Sequence, residues 1–496
     1  MSLNGFVKTI QNIMRVDNGI NGDAQRIEQM TWLLFLKVYD TKEEDWEFHN
    51  PNYVSIIPEE LRWRNWAVDN KDGESMTGEE LLDFVNNKLF PTLKNLEITK
   101  NTPIKQAIVK AVFEDSNQYM KDGIQLRKVI NVIDGINFDD HKEKHAFGEI
   151  YETVLKDLQS AGNAGEFYTP RAVTDFMVQM IKPKLGEKIA DFACGTGGFL
   201  TSALKELEKQ VKTAEDKRLY DESVFGIEKK PLPYLLAITN MLIHDIDSPQ
   251  IIHGNSLERN VREYKDHEKF DVILMNPPYG GTENEIVKSN FPADLRSSET
   301  ADLFMSVIMY RLKKNGRAAV IIPDGFLFGT DGAKTELKKK LLNEFNLHTI
   351  IRLPKTVFAP YTSITTNILF FDNGSKTDKV WFYRVDLPEG YKAFSKTRPM
   401  QLDHFKDAIS WWENRVEIKD TDIDTFKAKS YTVEELVNRD YDFDLCGYPT
   451  FEEEVLSPEE TIRQFHERRN ALNAKIDKRI KQIEELLGIK KWLQRS

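Results

Sequence analysis

The chain has 496 residues, 40% hydrophobic and 30% charged, which is enough apolar sequence for a sizeable core and enough length for more than one domain. No apolar run approaches the ~20 residues that span a bilayer, and residues 1–20 are mixed polar without a signal-peptide pattern, so a cytoplasmic protein is expected. The net charge of −11 divides unevenly, with ten Lys/Arg against four Asp/Glu in residues 461–496 (+6) and −17 in the rest, and two distant cysteines, Cys194 and Cys446, exclude a disulfide framework and a cysteine-held zinc site.

Residues 1–160 read as helix. Apolar side chains recur at three-to-four spacing over 24–39 and 78–90, and Asn50-Pro51-Asn52 and Asn101-Thr102-Pro103 interrupt the pattern. No catalytic pattern lies in this stretch, which predicts an all-helical N-terminal domain. Near residue 165 the periodicity changes. Short apolar runs at 188–194, 223–228, 251–255, 270–276, 317–323 and 349–353 predict strands. Amphipathic stretches at 198–210, 231–244 and 301–314 predict helices between them. Alternating strands and helices predict an α/β fold, a mostly parallel sheet covered on both faces, over 161–390. Residues 366–371 follow the sixth strand closely enough to return antiparallel, and 379–385 form a further strand candidate. Residues 391–455 are expected to be an irregular connecting region.

The last unit expected is a C-terminal helix over 456–496. Ser457-Pro458 supplies a start signal. Ile462, Phe465, Leu472, Ile476, Ile480, Ile483 and Leu487 follow at spacings near three and four, interrupted by Arg469. Such a stripe is a packing surface. So little chain remains to cover this basic helix that a partner chain is its expected neighbour.

Asp191-Phe192-Ala193-Cys194-Gly195-Thr196-Gly197-Gly198-Phe199 closes the first predicted strand and opens a helix. Its glycines permit a tight turn and close approach to a ligand, but the spacing is not that of a dinucleotide fingerprint. A plain strand-to-helix connection would read the same way. Two later features favour a nucleoside site. Glu228 ends the second strand, where an acidic side chain can accept both ribose hydroxyls of an adenosine. Asn255 and Ser256 end the third, where they can meet an adenine edge. Cys194 has no adjacent histidine to activate it and reads as a packing residue.

The fourth strand runs directly into Asn276-Pro277-Pro278-Tyr279. An exocyclic amino group is a poor nucleophile because its lone pair is delocalised into the ring. Two acceptors aimed at its hydrogens return electron density to nitrogen. The Asn276 side-chain oxygen and the Pro277 carbonyl can supply them, and two prolines hold the backbone so that no reorganisation is needed. Tyr279 offers a face on which an extruded base can stack. Methyl transfer from a sulfonium donor is a direct displacement, so no metal site is expected.

This pattern resembles the amino-methyltransferases of DNA, and more closely the modification (M) subunit of Type I restriction-modification systems. The resemblance is sharpened by Gly165-Glu166-Phe167-Tyr168-Thr169-Pro170-Arg171 ahead of the first strand. In the family this segment packs over the methionine end of the cofactor. The resemblance implies a Rossmann-like class I methyltransferase sheet, mostly parallel with the last strand antiparallel, between a helical N-terminal domain and a C-terminal helix. It implies methyl transfer from S-adenosyl-L-methionine to N6 of a flipped adenine. Cofactor contacts are implied for Glu166, Phe167, Tyr168, Thr169, Pro170, Arg171, Asp191, Thr196, Gly197, Gly198, Glu228 and Asn255. Handling of the adenine is implied for Asn276, Pro277, Pro278 and Tyr279. Residues 354–371, with Phe358, Pro360, Tyr361 and Asn367, look like the family's later motif beside the base pocket. Two positions depart from the pattern: Phe192 stands where many relatives have proline, and Asn255 where an acidic residue is common. The implied partners are a specificity (S) subunit that chooses the target, a second copy of the M subunit and double-stranded DNA, with room for a restriction (R) subunit. An acidic body that relies on such partners to hold DNA fits the charge distribution.

Two other readings stay open at this level. The Asn-Pro-Pro-Tyr chemistry also serves cytosine N4, RNA amino groups and protein glutamine. A non-catalytic nucleotide-binding scaffold would keep the glycine turn without needing Asn276.

Overall fold

A computed structural model describes residues 3–69, 75–136, 168–359, 362, 364–395, 397–421, 424–448 and 458–486. Glu166 and Phe167, with Pro360, Tyr361 and Leu487, lie outside the described residues. The chain divides into two units, Met1–Gly447 and Tyr448–Ser496.

The first unit begins with helices, as the periodicity predicts. Its longest, Asp23–His49, is buried on nearly every side between Ile27 and Tyr39, the pattern of a helix at the centre of a bundle. Asp122 caps the helix Gly123–Asp134 by accepting from the backbone N–H groups of Ile124 and Gln125. Lys42 of the long helix pairs with Asp245 and Asp247, just beyond the helix Pro231–Ile243, so the helical region is tied to the sheet region within one unit.

Among the described residues ten strands form one sheet: β1 Ile189–Asp191, β2 Val224–Glu228, β3 Gln250–His253, β4 Phe270–Met275, β5 Leu312–Pro323, β6 Asn346–Arg352, β7 Thr366–Asp372, β8 Lys379–Arg384, β9 Ile418–Lys419 and β10 Phe426–Thr432. The order is β3-β2-β1-β4-β5-β7-β6-β8-β10-β9. β1 to β5 run parallel to one another. β7 runs antiparallel between β5 and β6, as the short connection from the sixth strand suggests. β8 is parallel to β6, β10 antiparallel to β8, and β9 antiparallel to β10. Apolar clusters pack on both faces, with Ile189, Val272 and Leu274 facing one and Ala190, Ile273 and Met275 the other.

The expectation of an irregular region over 391–455 is corrected. This stretch carries the helix Lys406–Glu413 and strands β9 and β10, which extend the sheet. Phe426–Thr432 is a half-buried strand rich in Lys and Ser, so it lacks the continuous apolar run of a central strand. Residues from the end of this stretch also return to the sheet: Asp444 pairs with Arg352, and the Gly447 carbonyl accepts from Arg384.

The second unit contains the helix Pro458–Leu486. Its apolar positions Ile462, Phe465, Leu472, Ile476, Ile480 and Ile483 are all exposed. Among the described residues, no helix is long and apolar enough to cross a membrane.

Candidate active site

The strand order reverses at β1, whose neighbours β2 and β4 leave on opposite sides. Open α/β sheets form a crevice at the carboxyl ends of the strands at such a point. The parallel register Ile189↔Val272 and Ala190↔Ile273 therefore brings the glycine turn after β1 and Asn276 after β4 out of the sheet side by side.

The turn is held from several directions. Asp191, 1% exposed, accepts the Ala193 N–H at 3.0 Å. Gly195 and Gly197 have φ of +54° and +79°, the left-handed region that disfavours a side chain. A methyl group on Gly197 would also stand 3.3 Å from the Met241 Cε. Asn240 Nδ2 donates to the Thr196 carbonyl at 3.0 Å, and the Arg171 guanidinium donates to the Gly198 carbonyl and to Thr201 Oγ1. The buried Glu228 carboxylate receives the Gly195 N–H at 2.8 Å on one oxygen and the Lys230 N–H at 2.7 Å on the other.

Burial pushes the Asp191 carboxyl up from its ordinary 3.8 to about 8; the Ala193 N–H opposes this and the neighbouring Glu228 charge adds to it. Burial likewise raises the Cys194 thiol well above its ordinary value, so it stays protonated and packs. The Asp191 shift predicts a stability trend. A carboxyl raised on folding contributes stability that is complete below its unfolded value near 3.8 and is lost as pH rises towards about 8. Asp191→Asn keeps an acceptor for Ala193 and removes the titration. Its melting temperature, relative to the parent protein, is expected to rise across this window and level off above it. A difference that does not change with pH in thermal melts would overturn the assignment.

Asn276 Nδ2 donates to Thr169 Oγ1 at 3.0 Å, which leaves Oδ1 as the acceptor. The Tyr279 hydroxyl donates to that oxygen. Pro277 is buried, Pro278 exposed and Tyr279 half-buried, and burial holds the phenol well above its ordinary value. Beyond them, the Thr300 N–H donates to the Gly281 carbonyl at 3.1 Å, anchoring the loop to the start of the helix Thr300–Arg311.

These pieces enclose a cavity of about 380 Å³. Tyr168, Phe192, Glu228, Asn255, Asn276 and Pro277 line it, together with Gly195 and Pro278. The space where a Gly195 side chain would project is open. Thr169, Arg171, Asp191, Thr196, Gly197 and Gly198 brace the walls through the contacts above. Pro170 precedes the helix Arg171–Ile181. Asn255 Oδ1 accepts the Leu257 N–H at 3.1 Å, and Ser256 donates to the Phe192 carbonyl at 2.5 Å. Thr300 and Phe304 also line the cavity and were not apparent from the sequence. Their helix reads as ordinary packing, and only its docking against Gly281 turns them to the site. Asn367 and Phe358 are both buried, and Asn367 donates to Asp324, just past the end of β5, at 2.7 Å. Among the described residues no group of three or more His, Cys, Asp or Glu side chains could hold a metal ion.

Comparison with known proteins adds independent observations. Residues 142–455 match the family model of the N-6 DNA methylases, and residues 3–133 that of the HsdM N-terminal domain. The chain is 46% identical over 492 residues to the Type I restriction enzyme EcoEI methylase subunit of Escherichia coli, covering 98% of both chains. It is 28% identical over 403 residues to the StySPI methylase subunit of Salmonella potsdam, covering 77% of this chain and 70% of that one. A solved chain from work on complex assembly and conformational transition of the type I R-M system superposes with a TM-score of 0.80 at 34% identity, covering 97% of this chain and 98% of that one.

Proposed function

Because the chain belongs to the N-6 DNA methylases, as a methylase subunit of the Type I restriction enzymes, we propose that it transfers a methyl group from S-adenosyl-L-methionine to N6 of an adenine flipped out of duplex DNA. The observation that carries this reading is the single cavity that joins the Glu228-braced glycine turn to Asn276.

The residues fit the cofactor. The two carboxylate oxygens of Glu228, fixed beside the glycine turn, suit the paired hydroxyls of a ribose. The open space at Gly195 admits a ligand against the backbone. Phe192 and Phe304 offer apolar walls for a purine beside the amide of Asn255. When bound, the cofactor supplies a methyl group on a sulfonium that departs as a neutral thioether.

The rest of the chemistry belongs to the chain. Asn276 Oδ1 already accepts one donor, the Tyr279 hydroxyl. An amino group arriving at the site exchanges one N–H for that O–H, so the acceptor is never left unpaired and the exchange costs little. Tyr279 is then released to stack on the base. The Pro277 carbonyl serves as the second acceptor. Both are positioned before the substrate arrives, which is where electrostatic stabilisation is effective. The proton lost from the methylated amino group passes to solvent.

Target choice is assigned to a separate specificity subunit. The acidic body and the exposed stripe from Ile462 to Ile483 support a complex in which the C-terminal helix packs on that partner. A second copy of the methylase subunit completes the proposed methyltransferase, to which a restriction subunit can be added.

The test is transfer of labelled methyl groups by the complex reconstituted with its specificity subunit, offered duplex DNA, RNA and protein. Label in DNA, recovered as N6-methyladenine after digestion to nucleosides, is expected. Label recovered as N4-methylcytosine, or in RNA or protein, would overturn the substrate assignment. A complex that binds DNA and transfers nothing would overturn the catalytic reading.

A further inference from the structure

β5 lies beside β4 in parallel register, with Met275↔Val320. β4 delivers Asn276, and β5 continues past Pro323 into the short helix Asp324–Phe328 at the same edge of the sheet. Phe326 and Leu327 are buried, yet Phe328 is 56% exposed. One exposed phenylalanine needs no explanation. Its mounting does.

Lys338 is 0% exposed, and its ammonium donates to the carbonyls of Leu327 at 2.6 Å, Gly329 at 2.8 Å and Tyr441 at 2.9 Å. The Phe443 N–H donates to the Leu327 carbonyl as well, at 3.0 Å. At the start of the same helix, the Asp324 N–H donates to the Thr365 carbonyl at 3.0 Å, and the Asp324 carboxylate receives Asn367 and the buried Arg352. Burying an ammonium and a guanidinium is costly; the Lys338 ammonium directs its donors to the residues on either side of the exposed ring, and the Arg352 guanidinium holds Asp324 at the start of the same helix. The ring is therefore presented on a fixed mount. Ile364, also exposed, sits next to Thr365 on this rim, and the exposed Lys355 follows β6 close by in the sheet order.

Resting on the reading that a base is extruded into the Asn276 cavity, we propose that Phe328 enters the duplex beside the target and occupies the gap left in the base stack. Removing a base from the stack leaves an apolar void and an unpaired partner base, and an inserted apolar side chain restores the lost contact. Phenylalanine has no hydrogen-bonding group, so it serves this role without reading sequence. A pinned backbone loses little freedom on insertion.

The experiment uses the complete complex with its specificity subunit and two duplexes. One is fully paired. The other carries an abasic site opposite the target adenine, so that extrusion breaks no base pair. Phe328→Ala is expected to slow methylation of the paired duplex by about ten-fold, the scale of one base–aromatic stack, and to recover most of that loss on the abasic duplex. Phe328→Leu should retain most activity on both, and S-adenosyl-L-methionine affinity should not change in either variant. Equal effects on the two duplexes, or none, would overturn the proposal while leaving the methyltransferase reading intact. Failure of the parent complex to methylate either duplex would overturn that underlying reading instead.

Discussion

Asn276→Ala is expected to lower the methyl-transfer rate by about a hundredfold to a thousandfold, the usual cost of losing one preorganised polar contact to a reacting group. The target amino group would lose the acceptor that draws its lone pair out of conjugation. The Pro277 carbonyl alone would engage one of its two hydrogens. Cofactor affinity should hold within about two-fold, because Asn276 contributes only one wall of the cavity and the contacts of Glu228 are unchanged. The variant also removes one contact from Thr169 Oγ1 and one from the desolvated Tyr279 hydroxyl, so a loss of stability of about 1–3 kcal/mol is expected beside the loss of rate. Single-turnover methylation with saturating cofactor isolates the effect. A variant that retains a tenth or more of the parent rate would sink the proposed role.

Glu228→Ala should show the complementary behaviour, with cofactor affinity falling by about a hundredfold, since hydrogen bonds to a charged group contribute about 1.5–3 kcal/mol each. The carboxylate also organises the protein. It ties Gly195 in the first turn to Lys230 after β2. Its removal leaves two backbone N–H groups without their acceptor, at a cost to stability of about 1–3 kcal/mol for each that stays buried. Glu228→Gln keeps one acceptor oxygen and should fall between. Removing the charge also relieves one cause of the raised Asp191 carboxyl, so Asp191 in the alanine variant should ionise at lower pH. Calorimetric titration and thermal melts measure these effects separately. An affinity within two-fold of the parent protein would exclude Glu228 from the cofactor site. The two variants are mutually diagnostic, since one is expected to change turnover at constant affinity and the other affinity first.

The parts of this site legible in the sequence are those whose chemistry is local. A strand that must turn sharply into a helix needs residues that tolerate positive φ, and Gly195 and Gly197 announce that need within a few positions. Asn276 and its two prolines carry their meaning in one tetrapeptide. The exposed stripe from Ile462 to Ile483 is written in spacing alone. Side chains that act through distant partners leave no such trace. Lys338 belongs to the run Lys338-Lys339-Lys340, which reads as a solvated helix face, yet it is buried with its ammonium on three loop carbonyls. Phe304 reads as one more apolar residue of a packed helix, although it lines the cavity.

The sequence by itself determined the α/β alternation, the two motif-bearing turns and the order in which they occur, because backbone conformation and apolar periodicity are set by neighbouring residues. Only the tertiary structure decided that β1 lies between β2 and β4, that Glu228 grips the Gly195 amide, and that residues 391–447 return to build the far edge of the sheet. Strand order depends on which distant surfaces bury each other best. That competition over the whole chain, which no local pattern records, is what brings Asn276 beside the glycine turn.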